Sequence, residues 1–250
     1  MSSPTPFAGF FDYLAVINLP SRPDRLRSVR AEVAALGIAP ERLDVPEAPV
    51  MDDDGGFPSR GVYGNFLSHI GILKEGARRG ARNVLVLEDD AIFSRRARDP
   101  RAQALALEQL SGLDWGLWHL GHGIEGARRP AQKGVVPSTE GFVGAHAYCV
   151  NGGAALDELI GWLETVAGRE AGHPDGGRMY IDGALNHYRQ TGASTACVIS
   201  NPTLSIQKGS DSDLGVPKHH VFRHAGKGAI ATLRWCRDEI WRWTDVAFRP

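Results

Sequence analysis

Two stretches of this chain are apolar with no polar alternation. Tyr13-Leu14-Ala15-Val16-Ile17 runs into Asn18 and Leu19, and Val84-Leu85-Val86-Leu87 runs into Glu88, Asp89 and Asp90 before Ala91, Ile92 and Phe93 turn apolar again. A strand with one wet face alternates, so unbroken runs predict strands covered on both faces, as in a parallel sheet flanked by helices. Between the two runs the period changes. Leu26, Val29, Val33 and Leu36 recur at helical spacing up to Gly37, and Phe66, Ile70, Leu73 and Ala77 recur at four, three and four, so the pattern predicts a helix in each place, the second within residues 61–80. Ser21 ahead of Pro23 and Asp24 marks the start of the first helix, and Gly37 its end. Further strands are expected at residues 43–45, 115–121, 142–150 and 195–200, and further helices at 100–110 and 153–166. Strands alternating with helices give an α/β fold with a mostly parallel central sheet flanked by helices.

Sheets of this kind bind ligands outside the carboxyl ends of their strands, which makes the acid triplet the first candidate for chemistry. In an extended segment Glu88 and Asp90 share one face and Asp89 the other, so the pair could hold one hard divalent cation through oxygen ligands. Three acids that merely close a strand and face water are the plainer alternative. The loop after the first strand brings Asn18, Arg22 and Arg25 to the same edge, where guanidinium groups suit phosphate oxygens, unless the arginines only decorate the first turn of a surface helix. Ser68 and His69 ride on the second helix, and a lone helical histidine is more often packing than chemistry. Asp182 stands where a helix N-cap is expected, and a plain cap, at about 1 kcal/mol, accounts for it. Asp52-Asp53-Asp54 lacks the spacing of a calcium loop and reads as solvated, while residues 126–141, polar and rich in Gly and Pro, read as a mobile loop able to cover a site.

Composition narrows the class. At 250 residues, 42% hydrophobic and 23% charged, the chain can bury the core of one α/β domain. A formal net charge of -1 gives no footprint for nucleic acid, which is not expected as a partner. Cys149, Cys197 and Cys236 lack the paired spacing of a zinc site and suit reduced thiols, and neither a basic-then-apolar leader nor a run of about 18 apolar residues is present, so a cytoplasmic protein is expected.

Several segments, in order, carry a resemblance. Val16-Ile17-Asn18-Leu19 with Arg22, Asp24 and Arg25, then Gly64 with Ser68-His69, then Leu85-Val86-Leu87-Glu88-Asp89-Asp90, then weaker blocks at residues 115–121 and 144–150, Ile181-Asp182, and Gln207 with Ser212-Asp213, resemble glycosyltransferase family 25, the lipooligosaccharide and collagen-type galactosyltransferases. The resemblance implies a GT-A-like, nucleotide-sugar-binding Rossmann-type fold in which Glu88-Asp89-Asp90 takes the place of the Asp-x-Asp element. It implies a metal-dependent inverting transfer, by resemblance of galactose, from a UDP-sugar to a hydroxyl of a glycan or glycolipid acceptor in lipopolysaccharide or other surface-glycan synthesis. Glu88 and Asp90, with Asp213 as a third candidate, are then expected to hold Mn²⁺ or Mg²⁺. Asn18, Arg22, Arg25, Ser68 and Asp89 are expected to bind the donor, His146 and Tyr148 to line the sugar or acceptor pocket, and Asp182 to act as base. The rival classes are a non-catalytic nucleotide-sugar-binding module and a metal-dependent phosphoesterase. Retention of the acids argues against the first, and Asn18, where a nucleophilic Asp is needed, against the second.

The domain is expected to span residues 1–226. Residues 227–250 read as an amphipathic helical tail, with Leu233, Ile240, Trp241, Trp243 and Phe248 interleaved with Arg234, Arg237, Arg242 and Arg249. Such a tail either packs its aromatics on protein or lies on an anionic membrane at the inner face, as a peripheral contact.

Overall fold

The structure, a computed structural model, describes residues 4–123 and 130–208. Seven strands form the central sheet: β1 (Tyr13–Ile17), β2 (Leu43–Asp44), β3 (Asn83–Glu88), β5 (Trp115–His119), β6 (Gly134–Pro137), β7 (Ala147–Asn151) and β8 (Ala196–Asn201), in the order β2-β1-β3-β7-β5-β8-β6. β1 pairs in parallel with both β2 and β3, β5 in parallel with β8, and β7 and β6 run against their neighbours, so five strands point one way. This is the mostly parallel, helix-flanked sheet expected of a GT-A-like fold.

Both faces are covered, which is why the two apolar runs do not alternate. Helix α2 (Pro23–Ala35) packs Val29 and Val33 over Leu14, Val16, Leu85 and Leu87, together with Phe7 of α1 (Pro6–Phe10), Ala97 of α4 (Arg95–Arg98) and Leu110 of α5 (Pro100–Ser111). On the other face α3 (Arg60–Arg78), α6 (Ala154–Gly168) and α7 (Ile181–His187) bring Phe66, Leu73, Leu159, Leu163 and Leu185 onto Tyr13, Ala15, Val84 and Val86. Val84, Leu85, Val86 and Leu87 are all 0% exposed, each contributing about 1.5–3 kcal/mol by burial. α3 lies close enough that a Cβ on its Gly76 would come within 2.5 Å of Val84 Cγ2, so only glycine fits that contact.

The chain leaves β1 through α2 to β2 on one side, then crosses by α3 to β3 on the other. Their carboxyl ends therefore frame a topological switch point, where sheets of this type form a crevice. A second sheet of two antiparallel strands, β4 (Ala91–Phe93) and β9 (Ser205–Gln207), stands directly after the acid triplet.

Several expectations need correction. α2 begins after Arg22, which occupies the N-cap but makes no side-chain capping bond to the helix, and Ser21 does not cap it. The strand expected over 142–150 forms only from Ala147, because Gly144 takes a left-handed φ of 104° that interrupts extended backbone. Within the expected loop at 126–141, Gly134–Pro137 is the edge strand β6, hydrogen-bonded to β8, and residues 124–129 lie outside the described residues. Tyr180, and not Asp182, is the N-cap of α7, which leaves Asp182 as its second residue. Asp213 and the 227–250 tail lie outside the described residues.

Candidate functional site

A cleft of about 380 Å³ opens at the carboxyl ends of β1 and β3. Its floor is the triplet Glu88, Asp89 and Asp90, its polar wall is Arg25, Arg60, Asn65, Ser68 and Gln207, and its apolar wall is Ile17, Leu19 and the irregular segment at residues 48–51. β3 ends at Glu88 and the next two residues form a turn, so strand alternation stops there. All three acids line the cleft, whereas alternation had set Asp89 apart.

Each acid has a different setting. Asp89 is buried, its Oδ2 accepting from Asn18 Nδ2 at 2.7 Å and its Oδ1 from Arg25 Nη1 at 3.2 Å. Burial raises its pKa above the usual 3.8, and the bonds from Asn18 and Arg25 oppose that rise. Asn18 Nδ2 also donates to the Arg22 carbonyl at 3.1 Å, so Asp89 clamps the β1–α2 loop to the end of β3. Glu88 Oε1 lies 3.3 Å from Asn65 Nδ2 and 3.5 Å from His69 Nε2, and Oε2 accepts from Gln207 Nε2 at 3.4 Å. Burial pushes the Glu88 pKa up, yet the opposing pull of His69, with help from His146 and Asn65, leaves it below the usual 4.5. The Asp90 carbonyl accepts from Lys208 N at 2.7 Å, which ties the acid turn to the chain leaving β9.

Of the expected donor-binding residues, Arg25, Ser68 and Asp89 line the cleft. Ser68 Oγ donates back to the Gly64 carbonyl at 2.8 Å, whereas Arg22 faces Asp24 at 3.3 Å on the surface and Asn18 acts through Asp89. His146 and Tyr148 lie behind Glu88. The Glu88 N–H donates to the His146 carbonyl at 3.0 Å, and Tyr148, 0% exposed, meets His69 Nδ1 through its hydroxyl at 2.8 Å. Burial drives the Tyr148 phenol well above 10 and lowers the His146 imidazole below 6.5. Asp182 does not line the cleft; its Oδ2 accepts from Gly144 N at 3.2 Å and its Oδ1 from Gly183 N at 2.9 Å.

Arg60 and Asn65 were not expected as site residues, and His69 and Gln207 stood within segments that carry the resemblance but were assigned no role. Asn65 and His69 lie four apart on α3, the spacing that puts two side chains on one helix face, which for Asn65 was an available signal. Among the described residues no group of three or more His, Cys, Asp or Glu is arranged to hold a metal ion. The donor set therefore does not suit a closed protein cage. Two hard carboxylates at a cleft suit a cation that shares its shell with phosphate oxygens. No helix among the described residues is long and apolar enough to cross a membrane.

No family model matches this chain, and no curated protein matches it by sequence. Among solved structures it is similar to a glycosyltransferase involved in the glycosylation of the major capsid of PBCV-1, at 10% identity and a TM-score of 0.47, over 80% of this chain and 94% of that one.

Proposed function

We propose that this protein is a glycosyltransferase that takes a sugar from a nucleoside diphosphate donor, UDP-galactose by its resemblance to family 25, and passes it with inversion to a hydroxyl of a surface glycan or glycolipid. The observation that carries this reading is the acid turn Glu88-Asp89-Asp90 set at a topological switch point, in a cleft that also holds Arg25, Arg60 and Ser68. Glu88 and Asp90 would hold Mn²⁺ or Mg²⁺, whose charge offsets the negative charge left on the departing diphosphate.

The chain's own groups supply the rest. Arg60 and Arg25 present cations to diphosphate oxygens, Arg25 from a guanidinium already fixed on Asp89. Leu19, Pro49, Val50 and Met51 give the apolar wall on which a nucleoside can lie. Asp182, on the first turn of α7 and outside the cleft lining, is the proposed base that takes the acceptor proton, a role it has by the resemblance to family 25 alone. In this reading the reaction belongs to surface-glycan assembly, at the inner face of a membrane.

The test is thermal unfolding with UDP, with and without Mn²⁺, on the wild type and on Asp90→Asn. A ligand that binds only the folded state raises Tm, so UDP should stabilise the wild type only when Mn²⁺ is present. Asp90→Asn should lose that effect and sugar transfer while folding normally. A UDP-induced rise that ignores Mn²⁺, or an Asp90→Asn variant with full turnover, refutes the metal-dependent reading.

A further inference from the structure

His69 is the only histidine on α3, and its side chain is 0% exposed. Its ring is held from two sides. It stacks on Tyr148, with centroids 5.6 Å apart and planes at 16°, and its Nδ1 lies 2.8 Å from the Tyr148 hydroxyl. Its Nε2 faces Glu88 Oε1 at 3.5 Å, long for a hydrogen bond and chiefly electrostatic in effect. A lone pair on Nε2 would repel the carboxylate across that gap. A hydrogen on Nε2, with the Tyr148 hydroxyl donating to Nδ1, avoids that repulsion.

Asn65, one turn earlier on the same face of α3, reaches the same oxygen at 3.3 Å. The two oxygens of Glu88 are thereby made unequal. Oε1 is turned toward α3, onto the buried His69 ring and the half-buried Asn65 at the cleft wall, and Oε2 is turned toward Gln207 on the cleft wall.

We propose that His69 is a positioning residue that fixes how Glu88 meets a divalent cation: with Asn65 it holds Oε1 inward, so that the carboxylate offers the cleft one oxygen and not two. The inference rests on the reading of Glu88 as a cation ligand and adds to it a basis for choosing the ion. Ca²⁺ takes six to eight oxygens and readily uses both oxygens of a carboxylate, whereas Mg²⁺ needs an octahedral shell filled by one or two carboxylates, waters and phosphate oxygens. A Glu88 limited to Oε2 therefore favours a small six-coordinate ion, Mn²⁺ or Mg²⁺, over Ca²⁺. Tyr148 serves the same end one step further back, by fixing the His69 ring and its tautomer.

The experiment is calorimetric titration of Mn²⁺, and separately of Ca²⁺, into the full-length protein with UDP present. The wild type is compared with His69→Leu, His69→Gln, Tyr148→Phe and Glu88→Gln. Groups that orient a ligating carboxylate are typically worth roughly 10- to 100-fold in metal affinity, so His69→Leu should weaken Mn²⁺ by that order and narrow its preference over Ca²⁺. His69→Gln, whose amide nitrogen can occupy the Nε2 position, should restore most of both, and Tyr148→Phe should shift both in the direction of His69→Leu. A purely structural role for His69 would lower stability without moving the Mn²⁺ to Ca²⁺ ratio. An unchanged ratio in folded His69→Leu overturns the inference, and if that variant does not fold, an unchanged ratio in Tyr148→Phe does so. Should Glu88→Gln also leave Mn²⁺ affinity unchanged, or the wild type bind no Mn²⁺, the failure lies in the cation-ligand reading itself.

Discussion

Replacing His119 with leucine should flatten part of the acid limb of the stability curve. His119 ends β5 with a side chain that is 0% exposed, its ring set edge-on to Phe142 at 4.5 Å and 5.8 Å from Tyr148. Neither ring nitrogen has a hydrogen-bond partner among the described residues. Burial, reinforced by Arg189, His122 and His146 nearby, lowers the imidazole pKa well below 6.5. The unfolded chain therefore takes up a proton near pH 6.5 that the folded chain refuses. The sign follows: the stability tied to a neutral His119 is fully present above pH 6.5 and is lost as pH falls toward the folded pKa. One such group costs on the order of 1 kcal/mol at pH 5.5 relative to alkaline pH. Urea unfolding of the wild type and His119→Leu at pH 8, 6.5 and 5.5 measures it, because groups common to both proteins cancel in the difference. The variant should gain on the order of 1 kcal/mol on the wild type between pH 8 and 5.5. Parallel curves would show that His119 protonates in the folded state as it does in water, and the argument from burial would fail.

Three further outcomes are expected. Asp89→Ala should cost about 3–5 kcal/mol by urea unfolding, because it leaves the Arg25 guanidinium and the Asn18 amide facing a gap in a partly buried site; a loss under 1 kcal/mol would show that the clamp is slack. Asp182→Asn should abolish most turnover while Mn²⁺-dependent UDP binding persists, since proton removal belongs to the reaction and not to donor binding; if turnover survives with only about 1 kcal/mol of lost stability, Asp182 merely closes the turn at Gly144. Gly121→Ala should destabilise by about 1–3 kcal/mol, because the new Cβ would stand 2.2 Å from His146 Nε2, and an unchanged Tm would mean that the ring moves aside freely.

The sheet was legible because burial on both faces writes itself as unbroken apolar runs. β1 and β3, the longest parallel pair, stand where Tyr13 to Ile17 and Val84 to Leu87 predicted them. α3 was equally plain, since Phe66, Ile70 and Leu73 are its buried stripe. What could not be read were contacts made across the sequence. Asp89 and Asn18 are 71 positions apart and Glu88 and Gln207 are 119 apart, and no local period links them. β6 was missed because a four-residue edge strand whose apolar part is only Val135 and Val136, set between Gly134 and Pro137 in a polar stretch, has the composition of a loop; its pairing with β8 is settled by the partner. Alternation also misjudged Asp89, because it holds only while backbone stays extended and β3 ends one residue earlier.

The small sheet of β4 and β9 has a consequence for anyone handling this protein. Gln207 at the end of β9 touches Glu88, and the next residue, Lys208, bonds the backbone of Asp90. The chain therefore departs toward residues 209–250 from the rim of the cleft and not from a distant corner. A reporter, an immobilising tag or a partner domain joined just after residue 208 would sit at the mouth of the site. Tension applied there would be felt first by the carboxylates and only afterwards by the core.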